Sequence, residues 1–174
     1  LPRPEERMKK VVRAIAERSS AITVMTNAAV DILANDYGIS KRMLKVIPHG
    51  VPNIPFRDTA IIKKSLGLQD KMVLTTFGLI NSGKGIEYVI KALPKIVEKH
   101  PNVLYLVIGE THPQVRKQEG EHYRNMLRKL AEDLGLKEHV KFYNKYLTLN
   151  EIIKYLSATD VYVFATQDPN QISS

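Results

Sequence analysis

Met72-Val73-Leu74-Thr75-Thr76-Phe77-Gly78-Leu79-Ile80-Asn81-Ser82-Gly83-Lys84-Gly85 leads into an apolar-striped segment that ends at His100. A run of strand-forming residues, a turn holding three glycines and a lysine, and then Ile86, Val89, Ile90, Leu93, Ile96 and Val97 at helical spacing predict strand, tight turn and helix. Small residues let a backbone approach a ligand closely, and the free amides of a helix start, together with Lys84, offer positive charge to a phosphate. The stretch therefore predicts a nucleotide or sugar-phosphate site. Gly78-x4-Gly83-Lys84 nearly spells a P-loop, but that motif needs a Ser or Thr hydroxyl after the lysine to hold magnesium, and position 85 is glycine.

Downstream, the same alternation continues. Strands over 72–77, 103–108, 140–143 and 161–164 alternate with helices over 86–99, 121–134 and 149–157, which predicts a parallel sheet built from right-handed crossovers. Tyr123, Met126, Leu127, Leu130 and Leu134 form the expected stripe of the second helix, and Thr148 with Glu151 predicts a capping box on the third.

Upstream, Met8, Val11, Val12 and Ile15 follow helical spacing, Ala21 to Met25 reads as a short buried strand, and Thr26-Asn27 opens a second helix that ends at Gly38. Lys45 to Pro48 is a further extended segment. Three prolines and a glycine between Pro48 and Phe56 mark a hinge. The expected organisation is a helix-strand-helix-strand remnant over 1–50 without a partner sheet, a hinge or linker over 51–70, and a partial Rossmann-like domain over 71–174. A last strand with no helix after it makes the chain read as a piece of a larger two-domain protein.

Composition narrows the classes. The chain has 174 residues, 44% of them apolar and 25% charged, with no cysteine and no tryptophan. This is a globular composition that excludes a disulfide framework and thiolate metal sites. No apolar run approaches the roughly 20 residues of a spanning helix, and the start lacks a secretory pattern, so the expected location is cytoplasmic. The net charge of +8 is spread out: basic residues outnumber acidic ones nine to five over 1–50, eight to four over 51–100, and match them nine to nine over 101–174. Arg3, Arg7, Lys9, Lys10 and Arg13 form the densest group and read as a solvated helix face.

Ligands of open parallel sheets sit beyond the carboxyl ends of the strands. That rule gathers Gly78 to Gly85, then Gly109-Glu110-Thr111-His112, then Tyr143-Asn144-Lys145-Tyr146, then Thr166-Gln167-Asp168. His49 and His112 have no nucleophile or second metal ligand in sequence and read as solvent-facing or locally bonded. There is no metal-ligand cluster and no nucleophile elbow.

Val46-Ile47-Pro48-His49-Gly50-Val51, Phe77-Gly78 with Lys84-Gly85 opening a helix, Leu106 to Glu110, Val140 to Tyr143, and Ala158-Thr159-Asp160-Val161-Tyr162-Val163-Phe164 follow one another in an order that resembles the family 4 glycosyltransferases of the GT-B fold. The resemblance covers about residues 20–174. It implies a retaining transferase of two Rossmann-like domains, with a UDP-, GDP- or ADP-sugar as substrate held mainly by the C-terminal domain, and neither cofactor nor obligatory metal. It carries donor-diphosphate binding onto Gly78, Lys84 and Gly85, and proximity to the nucleotide or sugar onto Gly109, Glu110, Tyr143, Asn144 and Lys145. The acceptor stays open among saccharide, lipid-linked and small-molecule classes; nucleic acid is not an expected partner, and peripheral contact with the inner face of a membrane is compatible. The chain departs from the family in two places: Leu79 stands where an arginine is usual, and Asp168 to Ile172 does not reproduce the start of the family's paired-glutamate motif. The catalytic residues are unassigned. Two rivals remain, a P-loop nucleotide hydrolase and a non-catalytic Rossmann-like module whose basic first helix faces a membrane or partner.

Overall fold

The structure, a computed structural model, describes residues 4–55 and 57–166. The chain divides into two compact units between Ile54 and Pro55.

The first unit runs α1 (Glu6–Glu17), β1 (Ile22–Val24), α2 (Asn27–Tyr37) and β2 (Leu44–Val46). The Thr26 hydroxyl accepts from Ala29 N and starts α2, and Gly38, at φ 71°, ends it in the left-handed conformation. β1 and β2 pair in parallel, Ile22 opposite Leu44, so this fragment forms a two-stranded sheet of its own where none was expected. Ala16, Ile39 and Leu44 form its small core together with Val12, Ile22, Val30 and Leu33. Of the stripe expected on α1, only Val12 packs there. Met8, Val11 and Ile15 are exposed, because α1 turns its Val12 and Ala16 side toward α2.

The second unit begins with α3 (Thr59–Ser65), a helix inside the 51–70 stretch read as a hinge. Asp58 caps it by accepting from Ala60 N. β3 (Met72–Phe77), α4 (Ile86–Lys99), β4 (Val103–Ile108), α5 (Pro113–Glu119), α6 (His122–Asp133), β5 (Val140–Tyr143), α7 (Leu149–Ser157) and β6 (Val161–Tyr162) follow. β6 is shorter than the strand expected over 161–164. α5 was not anticipated, although proline at its first position after His112 is a helix-start signal.

All strand pairs are parallel and the order is β5-β4-β3-β6. The chain steps outward from β3 through β4 to β5, and then crosses back to place β6 on the other side of β3. Period-two alternation sends alternate residues to opposite faces. Leu74, Tyr105 and Val107 pack with Ile86, Ile90 and Leu93 of α4 and with Tyr123 and Leu127 of α6. Val73, Leu104, Leu106 and Ile108 pack with Leu68, Leu147, and Ile152 and Tyr155 of α7. Each fully buried Leu or Ile contributes roughly 1.5–3 kcal/mol.

Three polar ties hold the short β6. The Thr76 hydroxyl donates to Val163 O at 2.8 Å and so accepts from Tyr105 OH at 2.6 Å; burial pushes the Tyr105 phenol up to about 12. On the other face Thr159 Oγ1 donates to Tyr155 O and accepts from Thr75 Oγ1 at 2.8 Å. At the amino end of β6, Asp160 Oδ2 accepts from Val73 N at 2.6 Å and pairs with Lys63 Nζ at 2.5 Å, which ties α3 to the sheet. Asp160→Ala leaves the Val73 amide without its partner and is expected to destabilise by about 1–3 kcal/mol. Chemical denaturation measures this, and an unchanged midpoint and slope would remove the tie from the account of the fold.

Candidate functional site

The strand order reverses between β3 and β6, and the carboxyl edge at that point is where a doubly wound sheet leaves a crevice. The β3 loop enters it through Gly78 at φ 131°, and the β4 loop through Gly109 at φ 134°, values that disfavour any side chain. The two glycines are packed together: a Cβ on Gly109 would stand 2.0 Å from Gly78 O. Ile80 N donates to Glu110 O at 2.8 Å and His112 N to Ile80 O at 3.0 Å, which knits the loops into one edge.

Beyond Ile80 the chain makes a 3-10 turn at Ser82–Lys84, and Gly85, at φ 63°, turns it into α4. No side chain caps α4. Lys84 bends back over the glycine: a Cβ added at Gly78 would lie 3.7 Å from its Nζ. Its ammonium stands 5.5 Å from the centre of the Phe164 ring, and Thr166 Oγ1 donates to Gly83 O at 2.8 Å, so the segment after β6 supports the same turn. Among the described residues no carboxylate forms an ion pair with Lys84. Gln167 and Asp168, the rest of the fourth strand-end loop, and the sequence from Asp168 to Ile172 lie outside the described residues.

Next to this turn is a cavity of about 300 Å³ lined by Phe77, Gly78, Leu79, Gly109, Glu110, Lys145, Tyr146, Leu147 and Ile152. The structure thus brings Gly78, Lys84, Gly85, Gly109 and Glu110 to one edge. Of the third loop, Lys145 lines the cavity while its ammonium is bound to Glu151; Asn144 is exposed. Tyr143 lies against Tyr155, ring centres 5.3 Å apart. His112 is locally bonded, its Nδ1 accepting from Gln114 N at the start of α5, and His49 is exposed. Tyr146, gathered with the third strand-end loop, does line the cavity; sequence reading missed Leu147, Ile152 and Phe164, whose apolar character marks them equally as core residues.

The third loop is clamped electrostatically. Glu151 accepts from Lys145 Nζ at 2.5 Å, from Thr148 N at 2.9 Å and from Thr148 Oγ1 at 3.0 Å, completing the expected capping box. The lysine contact first, and then the Thr148 bonds, hold its carboxyl down at about 2, and the same pair raises Lys145. A lowered carboxyl pKa contributes stability that is present above the ordinary value of 4.5 and is lost as pH falls toward about 2. The Thr148 amide resonance should accordingly titrate near pH 2. A midpoint near 4.5 would show that the clamp does not form in solution.

One buried cation supports the β4 loop. Arg124 is 1% exposed and donates from Nη2 to Gly109 O at 2.7 Å, while its Nε lies 3.2 Å from Glu121 Oε2 and 3.3 Å from Thr111 Oγ1. Thr111 Oγ1 in turn donates to Glu121 Oε2 at 2.5 Å. That Thr111 bond and the nearby guanidinium lower the Glu121 carboxyl; burial lowers Arg124. The stripe expected on α6 is rotated: Met126 and Leu134 are exposed, and Tyr123, Arg124, Leu127 and Ala131 face inward. An arginine three residues before Leu127 and seven before Ala131 was the available signal.

A doubly wound parallel sheet with a lysine-bearing, glycine-framed turn at its switch point is the arrangement in which open α/β domains leave their ligand crevice. Residues 58–168 match the family model described as glycosyl transferases group 1, and the chain belongs to that family. It is 24% identical over 152 residues to mannosylfructose-phosphate synthase of Agrobacterium fabrum, covering 84% of this chain and 32% of that one. It is likewise 24% identical over 158 residues to the GDP-mannose-dependent alpha-(1-6)-phosphatidylinositol monomannoside mannosyltransferase of Mycolicibacterium smegmatis, covering 88% and 38%. The chain thus spans about a third of the length of these curated relatives. A crystal structure of Anabaena HepE in complex with UDP superposes with a TM-score of 0.74 at 20% identity, over 99% of this chain and 46% of that one. This likeness agrees with the expected Rossmann-like α/β fold of GT-B type.

Proposed function

We propose that this chain is the donor-binding portion of a retaining family 4 glycosyltransferase that takes its sugar from a UDP-, GDP- or ADP-sugar. The observation that carries the reading is the Lys84 ammonium held over Gly78, without a carboxylate partner among the described residues, where the strand order reverses. UDP in the HepE structure and GDP-mannose in the name of the mannosyltransferase support a nucleotide-sugar and leave the base open. The family 4 resemblance supports retention of configuration.

Transfer breaks the bond between the anomeric carbon and a β-phosphate oxygen, and the electron pair stays on the diphosphate. A site that neutralises that charge lowers the barrier. Lys84 and the uncapped amides at the start of α4 are the groups available for it, and no resident metal is part of the proposal. Position 85 lacks the hydroxyl of a P-loop, and family membership favours a transferase over a nucleotide hydrolase. Calorimetric titration with UDP, GDP and ADP, with and without magnesium, tests the reading. Micromolar binding of at least one nucleotide, independent of magnesium, supports it; binding that requires magnesium would favour the hydrolase. Because the 174 residues span about a third of the relatives, they are proposed to bind nucleotide without turning over; sugar transfer by this chain alone would overturn that part.

No helix among the described residues is long and apolar enough to cross a membrane. A cytoplasmic location with peripheral contact at an inner membrane face completes the proposal, supported by exposed Met8, Val11 and Ile15 on α1 beside Arg7, Lys10 and Arg13. Sedimentation with anionic vesicles, reduced when salt is raised, is the expected result. Equal partition to neutral vesicles would count against it.

A further inference from the structure

We infer that Arg124 is a positioning residue of the donor site, orienting the Gly109–Glu110 peptide so that the Glu110 N–H is presented to the ligand. The inference rests on reading the cavity beside Lys84 as the nucleotide-sugar site. Burying a guanidinium is costly unless all its donors are paired, and here they are not: Arg124 Nη1 and Glu121 Oε1 have no hydrogen-bond partner, Oε1 having only a 3.4 Å ion pair with Arg116. Well-packed apolar residues would serve the core at least as well. What the guanidinium does instead is geometric. Its Nη2 holds Gly109 O at 2.7 Å, and its Nε reaches Thr111 and Glu121, so one rigid fork grips the β4 loop on both sides of Glu110.

The consequence follows from peptide planarity. In a trans peptide the carbonyl and the next N–H point in opposite directions, and no peptide bond described here is cis. With Gly109 O drawn toward Arg124, the Glu110 N–H lies on the opposite side of the peptide, beside the cavity that Gly109 and Glu110 line. No acceptor among the described residues takes that proton. Gly109, at φ 134°, supplies the backbone freedom for this peptide orientation, and Arg124 selects it.

The test uses the whole chain, UDP as the probe and three variants: Arg124→Leu with Glu121→Leu, Arg124→Lys, and Lys84→Ala as the reference for the donor site. The double variant removes the buried guanidinium together with its partly exposed carboxylate partner and should keep a cooperative melt while UDP affinity falls about 5- to 10-fold. The Glu110 amide should shift on UDP addition in the native chain and lose that response in the variant. Arg124→Lys keeps the charge but cannot grip Gly109 O and Glu121 together, so about a threefold loss is expected; it carries the test if the double variant does not fold. A folded variant of either kind with native UDP affinity and a native Glu110 response overturns the inference. If Lys84→Ala weakens UDP binding while the Arg124 variants do not, only the positioning role falls. If the native chain binds no nucleotide, or Lys84→Ala changes nothing, the donor-site reading falls and takes the inference with it.

Discussion

Lys84→Ala lowers the affinity for a nucleoside diphosphate about 10- to 100-fold and leaves the corresponding monophosphate within about twofold. The magnitude follows from a charge-assisted hydrogen bond, about 1.5–3 kcal/mol, with each 1.4 kcal/mol a factor of ten. The selectivity follows from position. Lys84 Nζ stands over Gly78 at the start of α4, where the uncapped amides also point, whereas the cavity walls formed by Leu79, Tyr146, Leu147 and Ile152 are mainly apolar. The cation therefore meets the terminal phosphate rather than the base. Because Leu79 stands where the resemblance leads one to expect arginine, no second cation shares the charge from that position. Leu79→Arg is the reciprocal variant, and should strengthen diphosphate binding while restoring part of what Lys84→Ala loses. Titration calorimetry of the four proteins decides it; equal losses for mono- and diphosphate in Lys84→Ala would place the lysine elsewhere in the site.

Gly109→Ala should destabilise the second unit by on the order of 3 kcal/mol and abolish nucleotide binding where the protein still folds. Two costs combine. A side chain at φ 134° carries backbone strain of about 1–3 kcal/mol, and a Cβ 2.0 Å from Gly78 O forces the β3 and β4 loops apart at a further cost of about 1–3 kcal/mol. Gly78→Ala separates these terms. Its φ is similar at 131°, but its Cβ would meet only the flexible end of Lys84, at 3.7 Å. It should therefore show the strain alone and unfold less readily than Gly109→Ala. Urea melts of the two variants measure the difference, and equal stability would mean that the loops separate without penalty.

The contrast between these glycines shows where sequence reading stopped. Both follow an apolar strand and looked alike as strand-end glycines. Only contact with a loop some thirty residues away makes one of them sterically irreplaceable, and no local pattern records that contact. The same limit explains Arg124. It is no part of the apolar stripe expected on α6, yet the helix is rotated so that the guanidinium lies under Gly109, where a carbonyl and a carboxylate receive it. Lys145 was expected near the ligand from its place after β5, and it does line the cavity, but its charge is taken up by Glu151 on the next helix.

The sequence by itself determined the elements of the second unit, because period-two and period-3.6 apolar patterns are local: Met72–Phe77, Ile86–Lys99, Val103–Ile108, Val140–Tyr143 and Leu149–Ser157 stand where their patterns predict. It also determined the parallel class, since strands alternating with helices require crossovers, and the loops from which a ligand site is assembled. The tertiary structure decided which strands are neighbours, and so that β6 returns beside β3 and sets the crevice at Gly78. It also decided that Phe164 faces Lys84 and that Arg124 holds the β4 loop. Those outcomes depend on packing and hydrogen bonds between residues far apart in the chain, whose energies exist only once the sheet has formed.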